Sequence, residues 1–270
     1  MKAFALRSVS IAAPGLPDWE TARTVLAGKA AYVPSELGKL KPAWLPANER
    51  RRLSNVMRLA LYVGEQALEA TDCARETPTS VFASASGDGD IIHAICEELA
   101  QPAPAVSPTQ FHNSVHNAPA GYWAIAAGSH HASTAIGAHD ASFAAGWIEA
   151  ALLAEETQEP VLLVAYDRPF PDPLDAKRHL DASFACALLL DVNPDVEGIA
   201  QIIMGNSGPA AETALDDPAL EALRRGNPAA RALPLLALIA RGESDTVALP
   251  STTPSPLVLK VHTTIPKTSR

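Results

Sequence analysis

The chain has 270 residues, 47% of them hydrophobic and 19% charged, enough to bury a sizeable core and too apolar for a disordered segment. Its net charge of −9 and pI near 5.3 exclude nucleic acid and an anionic membrane surface as main partners, because both require a basic face. The three cysteines, Cys73, Cys96 and Cys186, are scattered and form no CxxC pair, so no zinc or redox role is read from them, and a reduced cytosolic setting fits.

Residues 4–12 read as a strand, ended by the breaker Pro14, Gly15, Leu16 and Pro17. Arg7 interrupts the apolar run of the first fifteen residues, which argues against a secretory signal. No run reaches the ~18 apolar residues of a membrane helix, so the default location is the cytoplasm. Asp18 is placed to cap a helix over 19–27 that stops at Gly28, and the three prolines of 33–46 predict a surface loop. Residues 48–70 predict one long helix, with Leu53, Met57, Ala60, Leu61, Gly64 and Leu68 on its buried face. Arg50, Arg51 and Arg52 would then fall in its first turn, where the helix dipole disfavours cations; they are read either as solvated or as a salt-bridge or partner contact.

Residues 79–84 predict a strand that runs through Gly87, Asp88, Gly89 and Asp90 into a helix over 91–100, with Asp90 as its cap. A proline-rich loop, 101–108, precedes an Ala-rich helix over 117–127. Then come a strand over 133–137, a turn at Ala138 and His139, and a helix over 140–155. Residues 160–166 and 183–191 are almost wholly apolar, as buried central strands are, and 198–204 follows as another strand. Helices over 218–225 and 229–241, strands over 246–249 and 257–262, and a polar, frayed tail over 263–270 complete the prediction. Strands alternating with helices predict an α/β layered fold, and no internal repeat is present.

Four constellations invite chemistry. His112 and His116 have the i, i+4 spacing of a helical zinc pair, but no Glu follows His112 and there is no third ligand, so no metal is expected. The Gly87–Asp90 loop is neither GxGxxG nor a P-loop, and its two aspartates would repel a phosphate. Ser142 lies two residues into its helix rather than at the centre of a GxSxG elbow. Asp140 stands at the head of a helix, where a cysteine would become an activated thiolate facing backbone N–H groups; an aspartate there is first of all a good N-cap, and its acylation would give a labile mixed anhydride. His139 directly precedes Asp140, and the two side chains are expected to point apart.

Taken together, these stretches resemble the N-terminal part of β-ketoacyl-ACP synthases of the thiolase fold. The resemblance is closer still to the short chain-length-factor-type subunits of aryl polyene and xanthomonadin-type pigment pathways. It runs from the WETARTVLAGK helix at 19–29, through SPTQFHNSVHNAPAG at 107–121 and STAIGAHDAS at 133–142, to the strands at 160–166 and 183–191. The family's nucleophile is a cysteine, and the matching position is Asp140. The family's two catalytic histidines sit in C-terminal glycine-rich motifs that this chain lacks; after residue 205 only His262 remains.

The resemblance implies a thiolase-like αβα layered domain with a mixed sheet, truncated relative to a full ketosynthase. Residues 1–205 would be the ketosynthase-like N-terminal domain and 206–270 a short extension completing it. It further implies a subunit without catalytic residues or cofactor that pairs, as heterodimer or heterotetramer, with a full-length ketosynthase and meets acyl carrier protein only indirectly. Interface or pocket residues carried over are Phe111, His112, His116, Asn117, Ser133, Thr134, Ala135, Ile136, Gly137, His139, Asp140 and Phe143. The alternatives are a stand-alone acyltransferase, thioesterase or decarboxylase using Asp140 with His139 or His116, and a homodimeric scaffold.

Overall fold

A computed structural model of the chain describes residues 3–193, 196–205 and 211–264. Its strands are β1 (Ala3–Ala12), β2 (Thr79–Ala83), β3 (Ser133–Ile136), β4 (Val161–Asp167), β5 (Phe184–Asp191), β6 (Ala200–Met204), β7 (Asp245–Leu249) and β8 (Leu257–Thr263). All eight join one mixed sheet in the order β3-β2-β4-β5-β1-β6-β8-β7. β3, β2 and β4 run parallel; every pairing from β4–β5 onward is antiparallel. β4 and β5 are buried at every position, which is why their sequences show an apolar run rather than alternation. Strands β7 and β8, from beyond residue 205, extend the same sheet.

Helices cover both faces, giving a thiolase-like three-layer domain. One face carries α1 (Trp19–Leu26), α7 (Ser142–Thr157), α8 (Pro218–Gly226) and α9 (Leu233–Arg241), packed through Val25, Trp147, Leu220 and Leu235. The other carries α3 (Asn55–Glu69) and α6 (Ala118–Ala127), packed through Met57 and Trp123. Shorter helices α2 (Ala47–Arg52), α4 (Gly89–Leu99) and α5 (Pro108–Asn113) lie in the connections. Small residues let the layers approach: a Cβ on Gly146 would lie 2.7 Å from Ala83 Cβ, and one on Gly64 2.7 Å from the Trp123 ring.

Several expectations are corrected. The helix over 48–70 is two helices, because Leu53 adopts an extended backbone and Ser54 caps α3 by accepting from Met57 N–H. Arg50–Arg52 therefore occupy the last turn of α2, where the dipole favours cations, and not a first turn. Asp88, not Asp90, caps α4, accepting from Ile91 N–H; Asp90 instead pairs with Arg168 at 3.0 Å. Ser107 caps α5 inside what reads as a loop. Of the tail expected to fray, 265–270 lie outside the described residues. No described helix is long and apolar enough to cross a membrane.

Candidate functional site

β3 forms one end of the sheet and pairs only with β2 among the described residues, in the register Ser80↔Ser133 to Ala83↔Ile136. Its opposite edge offers unpaired backbone groups. Ser133, Thr134, Ala135 and Ile136 are exposed or half-buried, and Ser80 Oγ donates to Ser133 Oγ at 2.9 Å.

Beyond β3 the chain turns sharply. Gly137 passes so close to β2 that a Cβ would stand 3.0 Å from Ser84 O. His139 takes φ 51°, a left-handed value uncommon outside glycine. A 3₁₀ turn, His139–Ala141, then leads into α7. The turn is closed by buried Ser142, whose Oγ accepts from Ala138 N–H at 2.9 Å and donates to His139 O at 2.7 Å.

Asp140 is not the helix cap expected of it. α7 has Ala141 at its N-cap with no side-chain hydrogen bond, because the 3₁₀ turn carries Asp140 clear of the first amides. Its carboxylate instead accepts from Arg178 Nη2 at 2.5 Å. His139 and Asp140 do not point apart either: the left-handed backbone folds His139 Nδ1 to 3.5 Å from Asp140 Oδ2. Partial burial opposes the charge on Asp140, but the hydrogen bond and charge of Arg178, with His139 and Arg231 adding to them, outweigh it and hold the carboxyl below its ordinary range.

Arg178 and Arg231 had no signal in the sequence. Arg178 lies in the 168–183 loop between β4 and β5, and Arg231 in the 3₁₀ turn Ala229–Ala232 that packs against the elbow. A third unforeseen residue is Asp167, fully buried at the end of β4. Its Oδ1 accepts from Ser84 Oγ at 2.8 Å and from the amides of Ala85 and Ser86 at 3.0 and 3.1 Å. Its Oδ2 has no hydrogen-bond partner. Burial pushes this carboxyl up to about 7 against the hydrogen bonds from Ser84, Ala85 and Ser86 and the charge of Arg178. An isolated acid closing a buried strand was the one available hint.

The remaining residues carried over from the resemblance divide into three groups. Phe111, His112 and Asn117 line an open, mostly apolar groove of about 990 Å³, with Val115, Tyr122 and Ile125 from α6 and its approach. Phe111, Val115 and Ile125 are exposed. His116 is exposed beside the elbow, its Nε2 3.1 Å from Ser84 O, and tethers this approach to the end of β2. Phe143 is a correction: its side chain is fully buried in the core under α7 and lines no surface. His112 and His116 do not share a helix, since α5 ends at Asn113. No group of three metal-ligating side chains occurs among the described residues.

The elbow at the end of β3, set against a sheet of this order, is decided by the family comparison: the profile described as beta-ketoacyl synthase, N-terminal domain, matches residues 19–246. The chain belongs to the β-ketoacyl synthase family. No curated protein matches it. Among solved structures it is similar to the complex of the ketosynthase ApeO with its chain length factor ApeC from Xenorhabdus doucetiae, with 22% identity over 96% of this chain and 99% of that one and a TM-score of 0.72. The ishigamide ketosynthase/chain length factor gives 12% identity, coverage of 97% and 99%, and the same TM-score. A β-ketoacyl synthase from Burkholderia phymatum gives 14% identity over 90% of this chain and 71% of that one, with a TM-score of 0.60. These likenesses describe the fold. Within it, the elbow of this β-ketoacyl synthase family member carries an ion-paired carboxylate.

Proposed function

We propose that the chain is a non-catalytic, chain-length-factor-type subunit that pairs with a full-length β-ketoacyl synthase and shapes the pocket in which the partner's acyl chain grows, in polyene or fatty-acid-like biosynthesis. The observation that carries this reading is Asp140. A nucleophile must attack a thioester carbonyl; a carboxylate held by Arg178 is a poor nucleophile, and its acyl product would be a labile anhydride. The free edge of β3 supports pairing, since an edge strand is the natural place for another chain to add its own. The exposed Phe111, Val115 and Ile125 support burial of this face in a complex. Solved relatives include a ketosynthase with its chain length factor and an acyl-carrier protein in complex with its ketosynthase. On this reading the partner supplies the cysteine, the histidines and the carrier-protein dock, and the complex works in the cytoplasm.

The test is co-expression with the ketosynthase encoded nearest to it, followed by native mass and acyl elongation. A one-to-one or two-to-two complex that elongates, where neither subunit does alone, supports the proposal. A monomer or homodimer that ignores the ketosynthase overturns it. Thioester turnover by the chain alone, abolished by Asp140→Asn, would establish the stand-alone enzyme instead.

A further inference from the structure

Between β4 and β5 the chain folds into a short turn with its own hydrogen bonds. Lys177 and Arg178 N–H donate to Leu174 O at 2.9 and 3.1 Å, and Asp175 N–H donates to Pro171 O at 3.1 Å. Buried Leu180 ends the turn. The limb that follows is docked on the end of α8: Asp181 N–H donates to Gly226 O, a Cβ on Gly226 would overlap the Asp181 carboxylate, and Asn227 Nδ2 donates to Ala182 O. Two adjacent side chains hook the turn to its surroundings. Arg178 reaches Asp140 at the elbow across 2.5 Å. His179 lies between two carboxylates, its Nδ1 2.7 Å from Asp175 Oδ2 and its Nε2 3.0 Å from Asp181 Oδ1. A neutral imidazole has one N–H and would face the other carboxylate with a lone pair; only the imidazolium donates to both.

We propose that protonated His179 is a clasp tying the Arg178-bearing turn to the limb docked on α8, and that loss of its proton releases one carboxylate and loosens Arg178 from Asp140, so that order at the elbow follows the charge of a histidine outside it. Asp175 precedes His179 by four residues, so that contact closes the turn on itself; the contact to Asp181 is the one that joins turn to limb. Leu180 keeps its buried place, so the change is a loss of side-chain order at 174–179 and not an opening of the whole segment. The hydrogen bond and charge of Asp175, with Asp181 adding to them, raise the His179 pKa above the ordinary histidine range. The clasp is therefore closed at low pH and lost as pH rises through the folded value. The remaining charges on the two elements are Lys177 and Arg178 on the turn and Arg224 and Arg225 in the last turn of α8, of which Arg224 is taken up by Glu221 and Glu212. On the elbow side Asp140 faces Arg178, His139 and Arg231.

The experiment uses the full chain with isotope-labelled histidine rings and backbone amides, in a His139→Gln background so that the elbow carries no titrating ring of its own. An NMR titration from about pH 5 to about pH 9, which brackets the ordinary histidine range, follows the His179 ring, assigned by its loss in His179→Gln, together with the amides of Asp140, Ala141 and Ser142. The expected result is a His179 midpoint above the ordinary histidine value, lowered by Asp175→Asn and by Asp181→Asn, and a change at the elbow amides with that same midpoint. His179→Gln and Asp181→Asn should each remove this change from the elbow. Arg178→Gln should remove it too while His179 still titrates, which separates the clasp from its link to Asp140. A His179 midpoint at or below the ordinary value, elbow amides that ignore the His179 titration, or an elbow change that survives His179→Gln would each overturn the proposal. Should an Asp variant fail to fold, the His179 midpoint of the parent chain and the exposed substitution His179→Gln decide alone on the same criteria.

Discussion

Arg178 donates to Asp140 across 2.5 Å and joins the β4–β5 loop to the turn that follows β3. The pair spans 38 residues of chain and fastens the elbow from outside its own strand–helix unit. Both side chains are partly exposed, so its net worth is that of a solvent-screened ion pair, about 0.2–1 kcal/mol. Arg178→Ala and Asp140→Asn should each lower stability by about that amount, and a double-mutant cycle in urea should show coupling of the same size. The sign with pH follows from the lowered carboxyl: the contribution is present above the ordinary aspartate range and lost as pH falls through the folded value. A cycle with zero coupling near neutral pH would show the pair to be energetically idle.

Asp167 gives the opposite slope. Its folded value is raised to about 7, so between the unfolded value and about pH 7 the folded state binds the extra proton. Its penalty is absent at low pH and grows as pH rises to about 7, reaching on the order of 4 kcal/mol if the full shift is realised at 1.36 kcal/mol per unit. Asp167→Asn, which cannot ionise, should flatten the fall in stability over this range. Denaturation midpoints at several pH values for wild type and variant measure it; parallel curves would rule Asp167 out as the group responsible.

The close approach of α7 to the sheet predicts a third effect. Gly146→Ala would place a methyl 2.7 Å from Ala83 Cβ and 2.9 Å from Leu163 Cδ1, and the Ala83 atom is fixed to β2 backbone. Overpacking of this kind costs about 1–3 kcal/mol, while alanine returns up to about 1 kcal/mol of helix propensity. A net loss in thermal midpoint is expected, with the elbow shifted because α7 begins at Ser142. A more stable variant would mean the helix can slide outward freely.

The layered fold was legible in the sequence because burial leaves a pattern. The unbroken apolar runs of β4 and β5 and the capped, periodic α1 are visible without coordinates. The break between α2 and α3 was not, since Leu53 continues the apolar stripe on both sides and only the backbone at Leu53 and Ser54 separates them. At the elbow the sequence shows which residue stands in the nucleophile's place but not what holds it. Arg178 comes from a loop whose position depends on tertiary contacts such as Phe170 against Gly89. Phe143 follows the same logic in reverse: adjacent to the elbow in sequence, it is directed into the core by the helical turn that Ser142 begins.

If β3 is the seam with a ketosynthase, a charge there should weaken pairing and leave the chain folded. Ala135 is half-buried on the outermost strand, opposite Phe82 of β2. Ala135→Asp puts a carboxylate at an edge that a partner strand would cover, a device by which edge strands repel pairing. Co-purification with the ketosynthase should fall by about tenfold or more, equivalent to about 1.4 kcal/mol, with an unchanged circular dichroism spectrum. Undiminished pairing would place the interface elsewhere.

Asp140→Cys separates the scaffold from the chemistry. The new thiol would sit at a turn that leads into α7, with Arg178 and Arg231 close enough to favour an anion. The two cations lower a thiol's pKa and raise its thiolate fraction. Of the native cysteines, Cys96 is exposed and Cys186 fully buried, its thiol pushed far up by desolvation, so Cys96 is the internal reference. Alkylation by iodoacetamide, read by peptide mass, should be about tenfold faster at position 140 than at Cys96 near neutral pH, a difference of about one pKa unit in thiolate fraction. Condensation should still be absent from the isolated variant, because His139, exposed and with its Nδ1 3.5 Å from Asp140 Oδ2, is a single histidine at the elbow and His116 is engaged with Ser84 O, so the two form no pair that could polarise the thioester. Reactivity no greater than that of Cys96 would show that the elbow no longer activates a nucleophile; condensation by the isolated variant would show that Asp140 alone separates this chain from an enzyme.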